Sequence, residues 1–427
     1  MRSLLGLVEN LSRRNKARAL PWTRWGQLPQ TRIMTSLLAG VALAALLGLA
    51  RAAGAADFAL SANDNHTTII NGKPLGTRNA LPDTLSVIDL QSSPPRLVSS
   101  IDVPFSDIGP PMALAIAADA SFVLVTSSTR AEARSADGTA PDDRLSVVDL
   151  TVSPPRVAQS LHAGLGASAV RISPDGKVAL VANRFEGTIS IFRVTGHHLD
   201  PAGKFSLDNA KSQPVGIVFS HDGSFILVSR LADHMVSLLH VSGTTLSLDP
   251  RPITTGVTPD TIDTNPAGTL AAVSNIGRGD GDVDTVSLID LQAIPPRTID
   301  TIAVPSGPEA VKFSPDGKYL AVNCINGTLK PAHTPFFNTG GVLSLYAVQK
   351  PDAKGLTTAG TMLRKVAETG DGGWTQGVAF SRDGRLILVQ NMREHEIQVF
   401  RWHGGKLVPG VTIAVPGGPA AIATPWP

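Results

Sequence analysis

Short apolar runs alternate with a recurring polar phrase along most of this chain. Val215-Gly216-Ile217-Val218-Phe219 and Phe225-Ile226-Leu227-Val228 flank Ser220-His221-Asp222-Gly223. Runs rich in β-branched and apolar residues suit buried strands. Asp-Gly makes the tight turn between them, since both residues tolerate positive φ. A third run at Val236 to Leu239 and a weaker fourth near Leu246 to Ile253 complete a set of four strands. The phrase returns as Ser173-Pro174-Asp175-Gly176, Ser314-Pro315-Asp316-Gly317 and Ser381-Arg382-Asp383-Gly384, and in worn form as Asn265-Pro266-Ala267-Gly268 and Ala117-Ala118-Asp119-Ala120. A lone four-stranded sheet cannot bury both faces, so such repeats must stack and close into a ring.

The six turns predict six blades. Two further segments predict a seventh. Asp57 to Asn63 aligns with the second strand Lys177 to Asn183, and Pro419 to Thr424 aligns with the first strand Pro308 to Phe313. The fold class is therefore all-β: a seven-bladed β-propeller with four antiparallel strands per blade, closed by the C-terminal strand completing the first blade. Closure of this kind removes exposed sheet edges. A second phrase ends in Pro-Pro-Arg at Arg96, Arg156 and Arg297. It sits between third and fourth strands, where proline serves as an outer-edge turn.

Residues 308–323, Pro-Glu-Ala-Val-Lys-Phe-Ser-Pro-Asp-Gly-Lys-Tyr-Leu-Ala-Val-Asn, resemble the YVTN type of propeller repeat, and the resemblance extends over residues 57–427. It implies kinship with secreted binding proteins and with lactonases similar to bacterial 6-phosphogluconolactonase. WD40 signatures are missing: no Gly-His pair opens a blade and no Trp-Asp closes one. The lactonase functional motif has no residue-by-residue match here, so the resemblance carries over no catalytic residue.

The first 55 residues differ in kind. Leu37 to Leu49 is an unbroken apolar stretch between Arg32 and Arg51, followed by small-x-small sequences at Ala50-Arg51-Ala52 and Ala53-Gly54-Ala55. Residues 1–55 read as a basic leader with a secretory signal, and 56–427 as the propeller. An uncleaved anchor, a twin-arginine route through Ser12-Arg13-Arg14 and a start at Met34 remain alternatives. The expected location is periplasmic or extracellular, with no stable membrane insertion after cleavage. Residues 1–55 hold 8 of the 37 basic residues and 1 of the 35 acidic ones, leaving 29 basic against 34 acidic, a net charge of −5. The basic pI thus belongs to the leader, which argues against a nucleic-acid partner. The single cysteine, Cys324, excludes an intramolecular disulfide and reads as a small buried residue. The pattern points to a monomer.

Candidate chemistry lies where the repeats disagree. Loops joining second to third strands are long at Asn63–Asp83, Ser127–Asp143, Asn275–Asp284 and Cys324–Gly341. Insertions confined to one face commonly mark a binding face. His66, Arg184, Arg230, His234, His333, Arg393 and His395 fall in or beside the second-to-third loops. Asp260, Glu309 and Gln376 share one column at the mouth end of consecutive innermost strands. Adjacent carboxylates there suit acid–base work or metal binding, or else line a wet channel. Asp280, Asp282 and Asp284 alternate in a way that could hold a divalent metal such as calcium, although the EF-hand spacing is not met and a solvated acidic loop is the plainer account. No phosphate loop, Gly-x-Ser-x-Gly elbow or Cys-x-x-Cys-His is found, so no cofactor is assigned. The leading expectation is a protein that binds a small molecule or protein partner through the long-loop face. The alternative is a lactonase-like hydrolase with Glu309 or Asp260 as base and Arg230 or Arg393 steadying a carboxylate.

Overall fold

The computed structural model describes residues 57–70, 73–77, 80–109, 111–349 and 362–425. The leader and signal segment of residues 1–55 lie outside the described residues. From Asp57 onward the chain forms one compact unit. It is a seven-bladed propeller in which every blade is an antiparallel sheet ordered from the innermost strand outward. Blade 1 combines Gly418–Ala423 with Phe58–Asp64, Thr84–Asp89 and Arg96–Asp102. The innermost strands of blades 2 to 7 are Leu114–Ile116, Ala167–Ile172, Pro214–Phe219, Pro259–Thr264, Pro308–Phe313 and Thr375–Phe380. Gly418–Ala423 packs beside the innermost strands of both blade 7 and blade 2, so the ring is closed by the C-terminal segment.

The repeated phrase has a physical cause. In Ser173-Pro174-Asp175-Gly176 the Ser173 hydroxyl donates to Asp175 Oδ1 at 2.6 Å and accepts from the Val178 amide at 3.0 Å. Asp175 accepts in turn from the Lys177 amide. Ser220, Ser314 and Ser381 make the same bond to Asp222, Asp316 and Asp383. The fourth residue takes the left-handed conformation, φ 71° at Gly176, which glycine adopts without a side-chain clash. Blade 2 places Ala120 there at φ 57°.

A second ladder links strands within blades. Asn183, at the end of a second strand, donates to Thr188 and Ser190 on the third, and Asn63 and Asn275 repeat the pattern. In blade 4 this column holds Arg230, whose Nη1 reaches Ser237. In blade 6 it holds Cys324, fully buried in an apolar cluster that pushes its thiol well above the ordinary value. The thiol is inert as a nucleophile. The three Pro-Pro-Arg phrases are outer turns, each with its first proline in the cis form and its turn amides capped by Asp89, Asp149 or Asp290.

Two long loops carry structure that the apolar pattern did not reveal. The blade 1 loop forms a hairpin of Thr67–Ile70 with Lys73–Gly76, and the blade 2 loop a hairpin of Thr129–Ala131 with Thr139–Pro141. The hairpins touch where the Gly76 amide donates to the Asp137 carbonyl at 2.6 Å. The blade 2 hairpin is short and polar, whereas the blade 1 hairpin carries a signal, Thr67-Thr68-Ile69-Ile70 before Asn71-Gly72, that lay outside the four-strand repeat.

An alanine in the left-handed region costs about 1 kcal/mol. Ala120→Gly should therefore raise the stability of the propeller by up to about 1 kcal/mol in urea unfolding. A decrease would mean that the blade 2 turn is held by contacts other than its backbone conformation.

Candidate functional site

The innermost strands run from the long-loop face toward the Asp-Gly turns, so their second residues ring the channel mouth. Asp260, Glu309 and Gln376 occupy that position in blades 5, 6 and 7. Asp260 is 3% exposed and Gln376 is buried, while Glu309 keeps part of its surface open. Below them Met112, from blade 2, crosses the bore: the Ile262 amide of blade 5 reaches its sulfur at 3.5 Å. Arg171 seals the bore further, donating to the carbonyls of Met112, Leu114 and Val170. Beyond this plug, toward the turn end, lies a cavity of about 180 Å³ lined by Arg171, Asp263 and Lys312. Met112 and Arg171 thus floor the space at the mouth where Asp260 and Glu309 sit.

Three charges meet in that space. Burial lifts the Asp260 carboxyl to about 7, opposed by the Arg184 guanidinium and the Thr261 amide. Glu309 is held well above its ordinary value by burial and by the Asp260 charge, with Arg184 again opposing. Arg184 rises from the turn after the second strand of blade 3, and its Nη2 donates to Gln213 Oε1 at 3.4 Å. Burial and the neighbouring charge thus favour the protonated forms of this pair.

Sequence reasoning missed Asp107, in the connection from blade 1 to blade 2. It is buried, and its carboxyl is raised by burial, by Asp64 and, more weakly, by Glu309. Its charge also acts on Arg184. Asp107 Oδ1, Gln376 Oε1 and Arg184 Nε are buried without a hydrogen-bond partner in the chain. Such atoms are costly unless something polar meets them. A second missed feature is the residue just before each innermost strand. It is left-handed at Gly166, Gly307 and Gly417, but also at Gln213, Thr258 and Trp374, with φ 51°, 59° and 51°. Aligning the repeats by backbone conformation would have exposed these side chains at positions that other blades give to glycine. The close approach of blades 4 and 5 requires glycine at Gly216, where a Cβ would lie 2.7 Å from the Asp260 carbonyl.

The remaining expected residues are placed as follows. Arg230 is 3% exposed and bound by Asp208 at 2.6 Å and Asp233 at 2.5 Å, which removes it from ligand chemistry. Its place beside the carboxyls is taken by Arg184. His234 is a left-handed turn residue whose Nδ1 accepts from the Thr258 amide. His333 is exposed on the blade 6 loop. Arg393 pairs with Glu394 at 2.8 Å and donates to the Thr339 carbonyl, so it does not serve the carboxyl pair; with His395 it lines a separate cavity.

The acidic run at 280–284 is not gathered into a metal site. Asp284 turns inward to accept from the Gly307 amide at 2.7 Å, while Asp280 and Asp282 face solvent. Among the described residues the one group with converging ligand atoms is Asp64, His66 and Asp83. His66 Nδ1 bonds Asp83 Oδ1 at 2.9 Å and lies 3.3 Å from Asp64 Oδ1. Burial lowers the His66 pKa, but the Asp83 hydrogen bond and the Asp64 charge outweigh it, so the imidazole is raised overall. Asp64 also accepts from the amides of His66, Thr67 and Asp107, and Asp83 from that of Asn65. These bonds use the carboxylate lone pairs, so the trio serves to anchor the blade 1 loop.

A family model described as a lactonase, seven-bladed β-propeller, matches residues 142–257. Over that stretch the chain resembles the lactonase propellers. The matched stretch of this propeller contains Arg184 and Gln213 but stops short of Asp260 and Glu309. The fold is shared with solved structures at low identity. A periplasmic gluconolactonase from Pseudomonas aeruginosa superposes with a TM-score of 0.64 at 18% identity, covering 86% of this chain and 98% of that one. A putative 6-phosphogluconolactonase from Bacteroides uniformis gives 0.63 at 18%, covering 87% and 99%. A functionally unknown protein from Desulfotomaculum acetoxidans gives 0.61 at 16%, covering 87% and 99%. No curated protein matches the sequence.

The raised Asp260 carboxyl makes stability depend on pH. Its folded value of about 7 exceeds the ordinary 3.8, so the fold favours the protonated form. Stability is fully present below about 4, falls as pH rises and is lost through about 7; the raised Glu309 acts in the same direction. Asp260→Asn should raise the melting temperature at pH 8, with a gain on the order of a few kcal/mol that shrinks toward pH 4. A pH-independent difference in thermal melts would count against a strained, buried charge at this position.

Proposed function

We propose that the protein hydrolyses a lactone at the channel mouth. The observation that carries this reading is the Asp260–Glu309 pair sharing one chamber with Arg184. Near neutral pH Asp260 ionises first and Glu309 keeps its proton. Ring opening needs that division of labour. Asp260 takes a proton from water as the hydroxide forms its bond to the lactone carbonyl carbon. Arg184 stabilises the tetrahedral oxyanion. Glu309 passes its proton to the ring oxygen as the acyl C–O bond breaks, leaving a hydroxy acid. The pair is reset when the proton on Asp260 moves to Glu309. The unpartnered acceptors Asp107 Oδ1 and Gln376 Oε1 suit a substrate rich in hydroxyls, such as a sugar lactone. The lactonase family match and the lactonases among the structural neighbours support this reading over binding without turnover. The basic leader, its apolar run and the periplasmic gluconolactonase relative support export to the periplasm, which cell fractionation tests.

The test is hydrolysis of glucono-δ-lactone and γ-butyrolactone by the purified protein, followed by acid release. Sugar-lactone turnover is expected, with a bell-shaped pH profile whose ascending limb lies near 7. Asp260→Asn and Glu309→Gln should each lower kcat by about 10²–10⁴-fold, and Arg184→Met by about 10²–10³-fold. Absence of turnover on both lactones, or full rates in Asp260→Asn and Glu309→Gln, would leave ligand binding as the function of this face.

A further inference from the structure

A separate cavity of about 250 Å³ opens where the blade 1 insertion, the blade 6 insertion and the blade 7 turn meet. It shares no residue with the carboxyl pair. Its floor is apolar. Trp374, 7% exposed, and Met392 pack in one cluster with Ile69 and Leu329. Its rim is cationic, formed by Lys330, Arg393 and His395, and among the described residues no carboxylate lines it. Arg393 is held in place by Glu394 and the Thr339 carbonyl through Nε and Nη2, which leaves Nη1 available. Lys330 commits one of its three donors to the Gly279 carbonyl at 2.8 Å. Both cations are therefore held in place at the rim, Arg393 with its charge shared by Glu394 but with Nη1 uncommitted.

Trp374 gives independent support. It sits at φ 51° in the column where blades 3 and 6 and the closing strand have Gly166, Gly307 and Gly417. Residues held in sparsely populated backbone regions cluster at ligand sites, and Trp374 combines such a position with a place on the cavity wall. An aromatic floor with a guanidinium and an ammonium at the rim recognises a flat apolar body bearing a planar anion. The volume suits a single ring with a short side chain rather than a larger molecule.

We propose that this cavity binds a small organic carboxylate with a flat apolar body. The inference stands whether or not the chamber at the channel mouth hydrolyses lactones. It is tested by titrating the purified protein with phenylacetate, its neutral analogue phenylacetamide and inorganic phosphate, read by calorimetry and tryptophan fluorescence. Saturable phenylacetate binding is expected, at least about tenfold tighter than for the other two. Lys330→Met with Arg393→Met should weaken phenylacetate by about tenfold or more without lowering the melting temperature. Trp374→Gly, which places there the residue used by blades 1, 3 and 6, should abolish binding and the fluorescence change. Three results would overturn the proposal: no phenylacetate binding, equal binding of the amide or phosphate, or unchanged affinity in the Lys330→Met and Arg393→Met double variant.

Discussion

Every blade of this propeller is an apolar sheet sandwiched between two others, and no blade can be stable alone. Val228 and Val181, fully buried on neighbouring blades, illustrate the demand. Both faces must be covered, so the ring has to close. Closure rests on Gly418–Ala423 pairing with Phe58–Asp64 across nearly the whole length of the chain. That one strand removes the last open edge and completes the wall of the channel.

The same closure creates the chemistry. Seven innermost strands converge on an axis, and whatever occupies their second positions is driven into a common space. Most blades spend that position on Met112, Ser168, Val215 or Ala420, while blades 5 and 6 spend it on carboxyls. Met112 and Arg171 floor the space beneath them. Burial raises both carboxyls, and Arg184 keeps them within reach of ionisation. Irregular loops therefore surround a pair of carboxyls carried on regular strands. The loops contribute a second environment, apolar below and cationic above, around Trp374.

Much of the site was legible because repeats supply their own alignment. The Asp260–Glu309–Gln376 column follows from register alone, since each follows the first residue of an innermost strand. Arg184 and Arg230 looked equivalent, both ending or following a second strand with charged loop neighbours. Only contacts separate them: Asp208 and Asp233 neutralise Arg230, whereas Arg184 meets no closer acid than the chamber itself. Asp107 was invisible because it lies in a connection with no repeat partner. The alternating acids at 280–284 read most plainly as a solvated loop with a metal site as the alternative, and Asp284 accepts from the Gly307 amide while Asp280 and Asp282 face solvent.

Local chemistry was enough to determine the blades, their number and the way the termini share one of them. Ser-x-Asp-Gly closes its own hydrogen bonds within five residues, and alternating apolar runs have one stable use. These are short-range facts written in adjacent letters. Which charges are neutralised, which are buried at the mouth and which left-handed positions carry side chains were decided by the tertiary structure. Those outcomes depend on desolvation and on partners tens to hundreds of residues away, and the energy of a buried charge is set by its surroundings rather than by its neighbours in sequence.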